Sequence, residues 1–191
     1  MLKWRFVLVL TLIAAPCLVT PGTLRAQEQP PARSVTELVQ AVSQGDAEAK
    51  SKAIDELAAL GPGASAAVSA LSAALADDDA GVRWRAARAL AEIGPGAAAA
   101  VPTLAATLKD RDPLVRANAV RALGEIGEAS KPVVPAMAPL LADSDAAVRR
   151  ATVMAFRDIK PDRSVSLPLI ANVLESADPS TRTLILSSLA E

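Results

Sequence analysis

The sequence predicts an all-α protein, a right-handed solenoid of about five helix pairs built on one repeating unit. Three observations carry that prediction. The stretch Val82-Arg83-Trp84-Arg85-Ala86-Ala87-Arg88-Ala89-Leu90-Ala91-Glu92-Ile93-Gly94 returns as Val115-Arg116, closing on Leu123, Ile126 and Gly127. It returns at the same interval as Val148-Arg149 with Phe156 and Ile159, then as Thr181-Arg182 with Leu189. One step back it reads Ala49-Lys50 with Leu57, Leu60 and Gly61. A fixed period between about 20 and 50 residues is the signature of stacked supersecondary units. Hydrophobic residues make up 51% of the chain but aromatics only 2%. The interior is therefore built from Ala, Leu, Val and Ile, with strong helix formers dominant. Finally, apolar residues recur in i, i+4 pairs, one stripe per helix.

The N-terminal stretch 1–26 differs in kind. Lys3 and Arg5 precede an apolar run from Phe6 to Val19, and the stretch ends Leu24-Arg25-Ala26. That is the pattern of a secretory signal peptide over residues 1–26. The apolar run is short of the ~20 residues needed to span a membrane as a helix; an uncleaved anchor is the alternative. Cys17 is the sole cysteine, and Ala14-Ala15-Pro16 before it makes a poor lipoprotein site. Cleavage would remove Lys3, Arg5 and Arg25 and no acids, taking 20 basic against 21 acidic residues to 17 against 21, a net charge of −4. An exported chain without disulfides relies on packing alone. The expected destination is periplasmic or secreted, with no membrane association after cleavage.

Residues 27–33 form a polar tether that Pro30-Pro31 holds extended. Ser34 and Glu37 then read as a capping box opening the first helix, on which Leu38 and Val42 share a face. The same column continues with Leu71 and Leu75, Leu104 and Leu108, Met137 and Leu141, Ile170 and Leu174. Ahead of it stand Val35, Val68, Val101, Val134 and Leu167, followed in three copies by Pro102, Pro135 and Pro168, which an opening helical turn tolerates. An acidic turn follows, whose recurring member is Asp46, Asp79, Asp112, Asp145 and Asp178, suited to cap the second helix. That helix ends on Gly61, Gly94 and Gly127, read as left-handed stops. The units are 34–61, 62–94, 95–127, 128–160 and 161–191, together one solenoid over 34–191. The last drifts most: Lys160 stands where the glycine stood, and Leu184, Ile185, Leu186 and Leu189 keep the final helix apolar.

The pattern in Val101-Pro102-Thr103-Leu104, Asp112-Pro113-Leu114-Val115-Arg116 and Ala122-Leu123-Gly124-Glu125-Ile126-Gly127 resembles HEAT repeats of the short, phycobilisome-lyase-like type. The resemblance covers essentially all of 34–191 and implies a solenoid whose second helices line the concave face. It also implies Asp–Arg ladders between adjacent repeats. Lys50, Arg83, Arg116, Arg149 and Arg182 each lie four residues after a recurring Asp, at salt-bridge spacing. A structural ladder of Asp79, Arg83, Asp112, Arg116, Asp145 and Arg149 is therefore expected, each exposed pair worth under about 1 kcal/mol.

Columns that recur hold the solenoid together, whereas columns that vary face solvent or a partner. Positions 84, 88 and 91 and their counterparts vary. Units two to four place Trp84, Arg88, Arg121, Arg150, Met154 and Arg157 there, a basic patch with a large aromatic and a Met. Trp and Arg are enriched at binding hot spots, so the expected partner is a protein or peptide with acidic segments. The competing reading makes Trp84 a packing residue and the arginines a solvated face.

The chain has no histidine, which removes the commonest general base and metal ligand. No catalytic residue, metal site or cofactor is assigned. Glu92, Glu125 and Asp158 fall one per repeat, and no Gly-Lys-Ser/Thr follows the Gly-Pro-Gly turns. Net negative charge and export argue against nucleic acid. The expected function is an exported scaffold for protein–protein interaction through the concave face, not an enzyme. The alternative is a relative of the phycobilin lyases or of the deoxyhypusine hydroxylase-like proteins that has lost or lacks catalytic residues.

Overall fold

The computed structural model describes residues 33–189. The signal peptide expected over 1–26 and all but the last residue of the tether lie outside the described residues. So do the side chains of Leu184 and Leu189. Helices follow one another along the chain: α1 Val35–Gln44, α2 Ala47–Leu60, α3 Val68–Ala74, α4 Ala80–Ile93, α5 Val101–Thr107, α6 Pro113–Ile126, α7 Val134–Met137, α8 Ala146–Ile159, α9 Arg163–Ser176 and α10 Pro179–Leu189. No strand occurs among the described residues. The result is an all-α solenoid.

Local chemistry sets each start and stop. Ser34 opens α1 through the expected capping box: its hydroxyl accepts from the Glu37 amide at 3.3 Å, and its own amide donates to Glu37 Oε2 at 2.8 Å. Asp46, Asp79, Asp112 and Asp145 cap α2, α4, α6 and α8, accepting first-turn amides at 2.6–3.2 Å. These side chains satisfy donors that no helix can satisfy internally. At the other end Gly61, Gly94 and Gly127 take φ of +53°, +67° and +73°. Their ψ lies between −124° and −135°, the mirror image of extended backbone rather than the left-handed helical region expected, and open only to glycine.

From each of these glycines the chain enters a 3₁₀ turn, Gly61–Ala67, Gly94–Ala100 and Gly127–Val133, before the first helix of the next unit. Lys160 departs from this. Its side chain forces the left-handed helical region instead (φ +50°, ψ +59°), and α9 begins three residues later with no 3₁₀ lead. The register then changes. Val68, Val101 and Val134 are buried, whereas Leu167 in the same column is 57% exposed and Ser166 is buried in its stead. Pro168, expected early in its helix, falls inside α9.

The core is a continuous row of small and branched side chains. Val82, Ala86, Ala87, Leu90 and Ile93 of α4 are 1% exposed or less, as are Val115, Ala119, Val120 and Leu123 of α6. Each fully buried Leu or Ile contributes about 1.5–3 kcal/mol of transfer free energy. The second helices of the first four pairs pack directly along one another, α2 on α4, α4 on α6 and α6 on α8. Ala58, Ala91 and Gly124 lie buried between them. A Cβ on Gly124 would stand 3.0 Å from the Ala155 Cα, so that approach leaves no room for a side chain. The α10 helix rests on α8 over a smaller span.

Candidate functional site

Two sets of residues carry the chemistry of the second helices: the arginine column and the varying row. The arginine column forms a ladder, but through different carboxylates from those expected. Arg83 makes a two-pronged pair with Asp110, Nε to Oδ2 at 2.7 Å and Nη2 to Oδ1 at 3.0 Å. Arg116 does the same with Asp143 at 2.9 and 2.7 Å, and Lys50 Nζ meets Asp77 Oδ2 at 2.7 Å. Each rung joins a second helix to the acidic turn of the following unit. Asp79, Asp112 and Asp145 are occupied as helix caps and make none of these pairs; the assignment of those three to the ladder is corrected. A side chain leaving the first turn of α4 or α6 reaches the stacked neighbour more readily than its own cap, whose oxygen is already turned onto backbone amides. Arg149 continues the column but makes no rung among the described residues. It donates to the Asp143 and Ser144 carbonyls at 2.8 and 3.1 Å. The sequence position that would supply its carboxylate is Ser176.

The rungs are well shielded, at 8% and 12% side-chain exposure for Arg83 and Asp110. Arg83 Nη1 also donates to the Asp77 and Asp78 carbonyls at 2.9 and 3.0 Å, fixing its own turn while gripping the next. Burial pushes the Asp110 and Asp143 carboxyls up. The arginine hydrogen bonds, the backbone amides of Asp112 and Asp145 and the arginine charge outweigh it, and both pKa values end below the ordinary one. At Asp77 the Lys50 hydrogen bond is the largest influence, with the same downward outcome.

The varying row does not form one basic surface. Trp84 is half-buried and stacked by cations, with Arg85 Cζ 4.3 Å and Arg88 Cζ 5.4 Å from its ring centroid, within cation–π reach. Both arginines also face Asp55, Arg88 at 2.7 Å and Arg85 at 3.4 Å. Arg121 pairs with Glu92 at 2.7 Å and Arg157 with Asp158 at 3.4 Å. Among the described residues Arg150 forms no ion pair; it is exposed at the start of α8. The expected basic patch is therefore corrected to a face of mixed charge, because Asp55, Glu92 and Asp158 pair with its arginines. Position 91 and its counterparts belong to the packing in the first three pairs, as Ala58, Ala91 and Gly124 show. Arg121, Met154 and Arg157 do come together, around a depression of about 410 Å³ between α6 and α8. Met154 is 44% exposed there.

Comparison with known families gives one match, to the model of HEAT repeats, over residues 35–108 and 68–156. The chain belongs to the HEAT repeat family. Among solved structures it is similar to a set of computationally designed armadillo repeat proteins for modular peptide recognition (TM-score 0.63, 20% identity, 82% of this chain and 81% of that one). It is also similar to an engineered protein (TM-score 0.62, 24% identity, 83% and 78%). A third likeness is to the complex of CpcE and CpcF of phycocyanin lyase from Nostoc sp. PCC7120 (TM-score 0.58, 22% identity, 81% and 97%). At these identities the likeness is one of fold. No curated protein matches the chain.

Within this HEAT array the residues that sequence reasoning missed are Asp77, Asp110 and Asp143 as ladder partners, and Asp55 and Glu92 as counter-ions of the row. The first three do recur at the period of the repeat. Their link to Lys50, Arg83 and Arg116 spans 27 residues, a separation that counting along a single helix does not reach. Arg85 belongs with them, since its contact with Trp84 runs between sequence neighbours.

Proposed function

We propose that this HEAT repeat protein is an exported, non-enzymatic scaffold that binds a protein or peptide segment on the face of its second helices. The observation that carries the reading is the depression between α6 and α8, where exposed Met154 is framed by two cations, Arg121 and Arg157, and two acids, Glu125 and Asp158. An apolar side chain of the partner enters beside Met154. An acidic residue of the partner engages Arg150, which has no ion-pair partner among the described residues. Trp84, stiffened by the arginines on its ring, supplies a second anchor. In HEAT-like folds this face is the concave one, which favours an extended segment as ligand. The designed armadillo proteins, whose fold this chain shares, are described as made for modular peptide recognition, and that use of the fold supports a peptide as partner.

The test is capture of partners by the purified chain, with Met154→Asp and Arg150→Glu as separate variants beside Trp84→Ala. Capture should fall at least tenfold for the first two with the helical circular dichroism unchanged. Equal capture by all three would move the site to the first helices. The mass of the mature N-terminus from an exporting host tests export, with cleavage near Ala26 expected. The likeness to CpcE and CpcF prompts a second reading, a pigment-handling relative; colourless protein after incubation with open-chain tetrapyrrole would end it.

A further inference from the structure

Three departures from the repeat meet at one place. Phe156 stands in the column of Leu57, Leu90 and Leu123; Arg157 in that of Ala58, Ala91 and Gly124; Lys160 in that of Gly61, Gly94 and Gly127. All three line one cavity of about 250 Å³ where α8 meets α9 and α10. The cavity follows from the substitutions. Between the earlier units the small column lets second helices close onto one another, and at Arg157 a long charged side chain occupies that position. Lys160 then removes the 3₁₀ lead, so α9 and α10 meet α8 at a changed register and leave the space open.

The floor of the cavity is apolar, formed by Leu141, Val153, Phe156, Ile170 and Ile185. Its charged lining residues are two cations, Arg157 and Lys160, both exposed. The acid beside them is Asp158, 3.4 Å from Arg157 Nε, which lines the depression between α6 and α8 instead. Ser166 Oγ is already committed to the Asp162 carbonyl at 3.2 Å. The volume falls below the ~300–1,000 Å³ of sites that take drug-sized ligands, so the occupant is small. A peptide would bring amide groups against these apolar side chains, at a desolvation cost. An unbranched alkyl chain brings none, and a terminal carboxylate meets the two cations in charge-assisted hydrogen bonds.

We propose that the cavity between α8, α9 and α10 binds a medium-chain alkyl carboxylate, its chain on Phe156 and Ile170 and its head on Arg157 and Lys160. The test is amide NMR titration of the full-length chain with octanoate, octanol and octylamine. Octanoate should give saturable shifts at residues 153–160 and 166–170. Octanol should bind at least tenfold more weakly and octylamine more weakly still. The double variant Arg157→Gln and Lys160→Gln keeps much of the bulk of both side chains. It should lose at least tenfold in octanoate affinity and leave octanol binding unchanged, with parental helicity. Octanol binding as tightly as octanoate, parental octanoate binding by the double variant, or no saturable shift with any probe would each overturn the proposal. So would a Leu-terminated peptide with a free carboxylate that displaces octanoate at a tenth of its concentration, which would assign the cavity to protein chain ends.

Discussion

Arg83 is 6% exposed, holds two carbonyls of its own turn and clamps the Asp110 carboxylate of the next. Removing one partner of a shielded pair leaves the other buried and uncompensated, which costs about 3–5 kcal/mol. Arg83→Ala should therefore lower the denaturant midpoint sharply. Arg83→Lys should recover only part of the loss, since an ammonium cannot reproduce the fork. The carboxylates of the ladder also set an acid limit. Asp77, Asp110 and Asp143 have folded pKa values below their unfolded ones. Their contribution is thus fully present above the unfolded value of about 3.9 and lost as pH falls through the folded values. Thermal midpoints should be flat from neutral pH to about pH 5 and fall below about pH 4. In the Asp110→Asn variant that fall should be shallower, from a lower starting point. An equally steep fall in the variant would show that the acid limit lies elsewhere.

At the scale of the element, the glycine stops are the sharpest prediction. A methyl on Gly94 would meet no clash, its nearest contact being the Glu125 carbonyl oxygen at an ordinary 3.8 Å, yet the backbone angles there exclude other residues. Gly94→Ala should cost about 1–3 kcal/mol through strain alone. Gly63 has nothing near its would-be Cβ and no positive φ, so Gly63→Ala should be neutral or stabilising by up to about 1 kcal/mol. Equal effects in chemical denaturation would dismiss the strain argument. The stops were legible as glycines at a fixed period, and so were the core stripes of α4 and α6 and the capping box at Ser34. What stayed hidden was of another kind. Asp79 and Asp110 look alike in composition and period; only stacking decides that one caps a helix and the other receives Arg83. The arginines of the varying row read as free charge because their counter-ions, Asp55 and Glu92, sit on neighbouring helices 33 and 29 residues away from Arg88 and Arg121.

For the whole molecule, stability is a sum of unit terms and nearest-neighbour interfaces. Leu90 and Leu123 lie wholly buried at the centre of that stack. Truncating either to Ala should cost about 2–5 kcal/mol; a neutral result would mean that the helices are out of the register described. The interfaces are not equal, however. From α2 to α8 the second helices close on Ala58, Ala91 and Gly124, whereas α10 meets α8 around Arg157 with a cavity between. Amide hydrogen exchange should therefore show α9 and α10 opening at lower free energy than α4 and α6. Uniform protection along the chain would contradict this.

The ladder also gives the molecule a grammar. Each rung runs from a cation of one unit to a carboxylate of the next, Lys50 to Asp77, Arg83 to Asp110 and Arg116 to Asp143, like plugs and sockets all facing the same way. Excising residues 95–127 would bring Asp143 to the place of Asp110 in front of Arg83, with the same spacing and the same fork. Length is therefore a free variable of this architecture up to Arg149, where, among the described residues, the series of rungs stops.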